Sequence, residues 1–131
     1  MKVFVDTNVL VSAFSSTKFC SGLIARILES HDLIISTTVS DELERILRDK
    51  FRIPEELTQE TLQFLKTRAT VIEDFSSHEI SIRDMDDIEI LSAALSAKVE
   101  FFVTGDREIL SLERIGEMRI VSPREFSDFI D

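Results

Sequence analysis

The sequence predicts an α/β fold: a three-layer α/β/α arrangement around a mostly parallel five-stranded sheet. Three observations carry this expectation. Five short apolar runs, Lys2–Val5, Leu33–Ser36, Thr70–Glu73, Phe101–Val103 and Arg119–Val121, are separated by stretches with helical spacing of apolar residues. The runs lack a polar-apolar alternation, so a sheet built from them must be covered on both faces. The chain has 131 residues, 44% of them hydrophobic and 31% charged, with three Gly and two Pro; this suits one domain over 1–131 with little linker or disorder.

In chain order, Lys2–Val5 is a strand rather than a signal peptide. Asn8–Phe14 is predicted helical, and residues 21–30 form a second helix with Leu23, Ile24, Ile27 and Leu28 on one side. After the strand Leu33–Ser36, residues 38–51 make an amphipathic helix with Val39, Leu43, Ile46 and Leu47 inward. Ile53-Pro54 breaks it, and Pro54 starts the next helix, which runs to about Arg68 with Leu57, Leu62, Phe64 and Leu65 as its apolar positions. The strand Thr70–Glu73 leads into a polar loop over 74–84, a helix over 87–98, the strand Phe101–Val103, a short helix over 107–113 and the strand Arg119–Val121. Ser122-Pro123-Arg124-Glu125 is a helix start: Ser122 caps, Pro123 fits the first position, Glu125 closes a capping box, and Phe126, Phe129 and Ile130 anchor the final helix.

Composition excludes several function classes. Ten Phe with no Trp or Tyr point to dry packing. Cys20 is the only cysteine, so neither an intramolecular disulfide nor a thiolate metal site is available, and a small buried hydrophobe is expected there. No apolar run approaches transmembrane length, and a cytoplasmic protein is expected. Net charge is −10, with −3 over residues 1–83 and −7 over 84–131. Binding of nucleic acid through bulk surface charge is therefore excluded, and any such role needs local basic patches or a metal. His31 and His78 lie in polar, loop-like surroundings away from metal-ligand spacing. No Gly-rich phosphate loop is present, and no local setting for Ser/His or Cys/His catalysis is recognisable. Asn8 stands where a haloacid-dehalogenase-like phosphatase needs its second aspartate. A receiver-type phosphoacceptor would sit at Glu73-Asp74, but the lysine it needs after Phe101–Val103 is missing.

Four carboxylates stand out. Asp6 follows the first strand and Asp106 follows Val103-Thr104-Gly105, both at the C-terminal edge of the sheet. Glu42 lies in the first turns of the helix after the second strand, and Asp87 begins the helix over 87–98. In a parallel sheet strand ends and helix starts share that edge, where ligands bind. Singly, each has an ordinary explanation: turn formation for Asp6 and Asp106, capping for Asp87, helix-dipole compensation for Glu42. Jointly they crowd, and crowded carboxylates need protons or a cation; oxygen donors favour a hard ion such as Mg²⁺ or Mn²⁺. Of Asp84, Asp86 and Asp87, only Asp87 heads the apolar stripe of Ile90, Leu91 and Ala94.

These residues resemble the PIN domain family, of the VapC-like kind that supplies the toxin of bacterial and archaeal toxin–antitoxin pairs. Val3 to Leu10 resembles the family's opening strand with Asp6-Thr7-Asn8. Ser40-Asp41-Glu42-Leu43 resembles its glutamate helix, Asp87 to Ala94 its aspartate helix, Val103 to Asp106 its strand exit, and Ile120 to Phe126 its closing strand and helix. The resemblance implies a Rossmann-like, PIN-like fold and a metal-dependent ribonuclease in which Asp6, Glu42, Asp87 and Asp106 hold one or two Mg²⁺ or Mn²⁺ ions. Asn8 and Thr104 would orient the carboxylates. Water would attack a single-stranded or structured RNA in line, the metal stabilising charge on phosphate and leaving oxygen, with a 5′-phosphate and a 3′-hydroxyl as products. A small antitoxin partner and a homodimer are further implications. Arg45, Arg48 and Arg52 on the glutamate helix are candidate RNA contacts, with a solvated helix face as the competing explanation; Lys18 and Arg107 are weaker candidates. A catalytically silent PIN module acting as an RNA- or protein-binding scaffold is the alternative function.

Overall fold

A computed structural model describes residues 1–15, 18–73 and 76–131. Residues 74 and 75 of the expected 74–84 loop, including Asp74, lie outside the described residues.

The strands are β1 Lys2–Val5, β2 Asp32–Ser36, β3 Thr70–Ile72, β4 Phe101–Val103, β5 Arg114–Ile115 and β6 Met118–Val121. They form one sheet in the order β3-β2-β1-β4-β6-β5. All pairings are parallel except β5 with β6. The sheet thus has six strands rather than five. The additional strand is two residues long, too short for any periodicity to register. It folds back through Gly116, whose φ of 59° at the first turn position suits a residue without Cβ.

The helices are α1 Thr7–Ser15, α2 Lys18–Ser30, α3 Thr37–Arg45, α4 Glu55–Arg68, α5 Met85–Ser96, α6 Arg107–Leu110 and α7 Pro123–Ile130. The helix expected over 38–51 is α3 followed by a π-helical turn at Ile46–Lys50, closed by Phe51 N–H donating to the Ile46 carbonyl. Arg52 then takes φ 52° and Pro54 restarts the chain. The helix expected over 87–98 starts two residues earlier, because Asp84 caps it by accepting from the Asp87 N–H at 3.1 Å. α7 carries the expected capping box, Ser122 with Glu125, and Pro123 in its first turn.

Central strands are buried on both faces, as a covered parallel sheet requires: Val3, Phe4, Val5, Ile35, Phe102 and Val103 are fully buried. Phe4 and Phe102, register partners on β1 and β4, stack with ring centroids 5.2 Å apart, and Phe101 meets Phe126 of α7 edge-on. Each such large apolar side chain contributes about 2–3 kcal/mol of burial. Cys20 is buried, as expected of a small hydrophobe. The segment before α5 is held along that helix, His78 N–H donating to Ser92 Oγ and Ser76 N–H to Ser96 Oγ. Among the described residues no helix is long and apolar enough to cross a membrane.

The topology also positions the site. β1 is central, with β2 and β3 added on one side and β4 and β6 on the other. The strand order reverses between β1 and β4, and the carboxyl ends of strands at such a reversal border the crevice in which open α/β sheets bind ligands.

Candidate active site

Asp6 leaves β1 at that reversal, its N–H donating to the Val103 carbonyl at 3.0 Å and its carbonyl accepting from Val9 and Leu10 at the start of α1. Its side chain is almost fully buried (3% exposed) and is satisfied by three donors. Oδ1 accepts from the Thr7 N–H at 2.8 Å, and Oδ2 accepts from Thr104 Oγ1 at 2.8 Å and Asn8 Nδ2 at 3.2 Å. Burial pushes the Asp6 carboxyl up to about 6, the Glu42 and Asp106 charges adding to it and the Thr104 and Thr7 bonds opposing.

Thr104 is fully buried one residue past β4. Besides donating to Asp6 it accepts from the Asp106 N–H at 3.0 Å, so one hydroxyl ties the two strand exits together. Gly105 N–H donates to Asn8 Oδ1 at 2.8 Å. A Cβ at Gly105 would stand 3.2 Å from that oxygen, so glycine suits this close approach. Asn8 is thereby fixed by bonds from both strand exits.

Asp106 caps α6, its Oδ1 accepting from Glu108 N–H at 2.8 Å and Ile109 N–H at 3.2 Å. The turn-forming explanation is therefore satisfied by one oxygen; Oδ2 accepts no protein hydrogen bond among the described residues.

Glu42, half-buried on α3, reaches the same crevice. Thr7 Oγ1 donates to its Oε1 at 2.6 Å. Burial raises the Glu42 carboxyl; Asp86 and Asp84 raise it further, and the Thr7 bond and the Arg45 charge oppose. Thr7 was not among the sequence candidates. It lies between two that were, but which way its hydroxyl points depends on α3 packing against α1, which no local pattern reports.

The three acids at the start of α5 separate by role. Asp84 is the cap, Asp86 is exposed, and Asp87 is half-buried in the first turn with a carboxylate that accepts no protein hydrogen bond among the described residues. Burial pushes the Asp87 carboxyl up to about 7, with Asp84, Asp6, Asp106 and Glu42 each adding repulsion in that order. Asp87 therefore feels all three of the other candidate ligands at once.

Asp87 thus lies within electrostatic reach of Asp6, Glu42 and Asp106, and Asp6 within reach of Glu42 and Asp106. Among the described residues no three His, Cys, Asp or Glu side chains are drawn into a ready-made ion cage. The donors are all carboxylate oxygens, partly desolvated, oriented by Thr7, Asn8 and Thr104, with free lone pairs on Asp87 and Asp106. That chemistry fits Mg²⁺ or Mn²⁺.

The three arginines of the glutamate helix do not share one environment. Arg45 is exposed on α3 and lowers the Glu42 carboxyl through its charge. Arg48 is paired with Glu55 through Nε and Nη2, both at 2.7 Å, and with Glu44 through Nη2. Arg52 is exposed past the π-helical turn.

Residues 2–108 match a family profile described as a PIN domain. No curated protein matches the chain by sequence. Several solved structures share its fold, three of them as follows. VapBC2 from Rickettsia felis, bound to a DNA fragment from its promoter, aligns at a TM-score of 0.67 and 19% identity over 93% of this chain and 98% of that one. VapBC-1 from nontypeable Haemophilus influenzae aligns at 0.63 and 15% identity over 95% and 99%. Mycobacterium tuberculosis VapC20, described as a Sarcin-Ricin loop cleaving toxin, aligns at 0.61 and 16% identity over 89% and 98%.

Proposed function

This chain belongs to the PIN domain family, and we propose that it is a divalent-metal-dependent endoribonuclease, the toxin of a toxin–antitoxin pair. The observation that carries the reading is the gathering of Asp6, Glu42 and Asp106 at the β1/β4 strand reversal by bonds to Thr7 and Thr104, with Asp87 within electrostatic reach of all three. Two further facts support it: the fold is shared with two VapBC assemblies and with a toxin described as Sarcin-Ricin loop cleaving.

In this reading the four carboxylates hold one or two Mg²⁺ or Mn²⁺ ions. A bound hard cation supplies Lewis-acid charge to the phosphate and the leaving oxygen. The chain's own residues prepare that site. Thr104 and Asn8 fix both the position and the ionisation of Asp6, because each hydrogen bond to its carboxylate favours the charged form. Thr7 does the same for Glu42. Asp84, by taking the cap of α5, leaves the Asp87 carboxylate free to ligate. Arg45, whose charge acts on Glu42, guides phosphate on that side of the crevice, and the exposed Arg52 is a further candidate, whereas Arg48 has its guanidinium engaged by Glu44 and Glu55. The exposed Leu57 and Phe64 of α4 offer apolar surface for a protein partner, an antitoxin or a second copy.

The test is cleavage of a broad panel of RNAs by purified protein with Mn²⁺, beside Asp6→Asn. The proposal expects metal-dependent products with 5′-phosphate and 3′-hydroxyl ends, and loss of at least about a hundredfold in kcat/KM in the variant. No cleavage by the wild type would favour the silent scaffold, and cleavage surviving in Asp6→Asn would place the chemistry elsewhere.

A further inference from the structure

Resting on the reading of the acidic cluster as an RNA-cutting centre, we propose that the cleft beside Asp106 is a subsite for one nucleotide of single-stranded RNA flanking the scissile phosphate. The cleft holds about 380 Å³, within the roughly 300–1,000 Å³ of small-ligand sites. Its lining is divided in kind. Val9, Cys20 and Pro123 supply apolar walls, and Asn8, Ser12 and Asp106 supply polar atoms. That mixture suits a heterocycle, which needs flat apolar contact and a few edge hydrogen bonds.

Asp106 belongs both to this cleft and to the acidic cluster. A base in the cleft is therefore contiguous with a phosphate at the acids. Asn8 presents a fixed amide, held by Gly105 and Asp6, so the polar side is preorganised. Ser12 adds a hydroxyl to that polar side.

Charge complementarity names the ligand. Arg107 and Arg124 directly follow the lining residues Asp106 and Pro123, and both are exposed. In a chain of net charge −10, exposed cations beside an acidic centre suit the phosphates of a polyanion. The Arg124 guanidinium lies 4.2 Å from the Phe19 ring centroid. Stacking fixes its plane and leaves its edge N–H groups for a phosphate. The cleft thus takes the base, and Arg124 and Arg107 take the backbone.

The experiment is equilibrium binding of a short fluorescein-labelled single-stranded RNA of mixed sequence to the full chain in Ca²⁺ buffer. It compares wild type, Ser12→Leu to fill the cleft, Arg124→Glu at the exposed rim, and Arg68→Glu at the far end of α4 as a charge control. Ser12→Leu is expected to weaken binding about tenfold. Arg124→Glu should do the same and reduce the slope of log affinity against log salt by about one. Arg68→Glu should bind as wild type. Wild-type affinity in both Ser12→Leu and Arg124→Glu overturns the subsite, as it would if the cleft received a peptide; so does an equal loss in Arg68→Glu. Arg124 is solvent-exposed, so its variant remains informative even if Ser12→Leu disturbs folding. Failure of the nuclease reading is distinguishable: wild type then cuts no RNA while the two variants still lose affinity. Conversely, cleavage with unchanged KM and unchanged flanking-base preference in both variants removes the subsite and leaves the nuclease.

Discussion

Replacing Asp87 by Asn should stabilise the metal-free protein while abolishing its response to metal. The Asp87 carboxylate accepts no protein hydrogen bond among the described residues, so the substitution removes a charge and little else. Burial and four neighbouring carboxylates move its pKa from 3.8 to about 7. At about 1.4 kcal/mol per pH unit that displacement would correspond to roughly 4 kcal/mol. Asp87 is half-exposed and its neighbours' charges are screened, so about 1.5–2 kcal/mol is the appropriate magnitude. In a chain of this length that is a rise of ~5 °C in Tm. The pH dependence has a definite sign. The folded-state pKa lies above the unfolded value, so ionisation costs the folded state more than the unfolded one. The cost is absent below about pH 4, where the carboxyl is protonated in both states, grows between pH 4 and 7, and is complete above pH 7. Thermal unfolding in EDTA at pH 4 and pH 8 reads it directly. The variant should match wild type at pH 4 and exceed it at pH 8. Saturating Mn²⁺ should then raise the wild-type Tm by mass action and leave the variant's little changed. An equal gain at both pH values, or none at pH 8, would refute the claim that these acids repel one another across a shared site.

Metal, phosphate and positioning are each open to test. Because Asp6 and Asp87 titrate near 6 and near 7, Mn²⁺ affinity should rise steeply from pH 6 to pH 8. Calorimetry in buffers of different ionisation enthalpy should show proton release on binding at the lower pH. Arg52→Glu should weaken RNA binding with metal affinity unchanged, whereas Arg48→Ala should leave RNA binding unchanged because Glu44 and Glu55 already occupy that guanidinium; anisotropy titrations compare the two. Thr104→Val keeps the shape but removes the donor to Asp6 and the acceptor for the Asp106 N–H. It should cost about 1–3 kcal/mol of stability in denaturant titration, and by raising the Asp6 pKa it should lower metal affinity at pH 7.

The parts of the molecule legible in the sequence are those fixed by short-range chemistry. Ser122, Pro123 and Glu125 spell a capping box that the structure contains. The buried strands β1, β2 and β4 are continuous apolar runs because a parallel sheet leaves no wet face. Their ends locate Asp6 and Asp106, since topology alone sends both to one edge. Less legible are the features that depend on contacts between distant elements. β5 exists only as the return of a tight turn at Gly116. The π-helical turn after α3 leaves the apolar positions of a regular helix in place. The start of α5 lies two residues ahead of its expected position because Asp84 and Asp87 are both suitable caps, and only the bond between them decides which one serves. The Thr7–Glu42 bond spans thirty-five residues, and the Arg48 ion pairs depend on where α4 passes α3. A run of three arginines on one helix gives no sign of which is already engaged.

The metal centre is tested most directly by a Mn²⁺ titration, followed by electron paramagnetic resonance, of wild type and of Asp6→Asn, Glu42→Gln, Asp87→Asn and Asp106→Asn. Saturable binding at pH 7.5 is predicted in wild type, with a loss of at least about tenfold in affinity in each of the four variants. Each variant should retain native circular dichroism. Wild-type affinity retained in any one variant would remove that residue from the site, and retained in all four would contradict the metal centre itself.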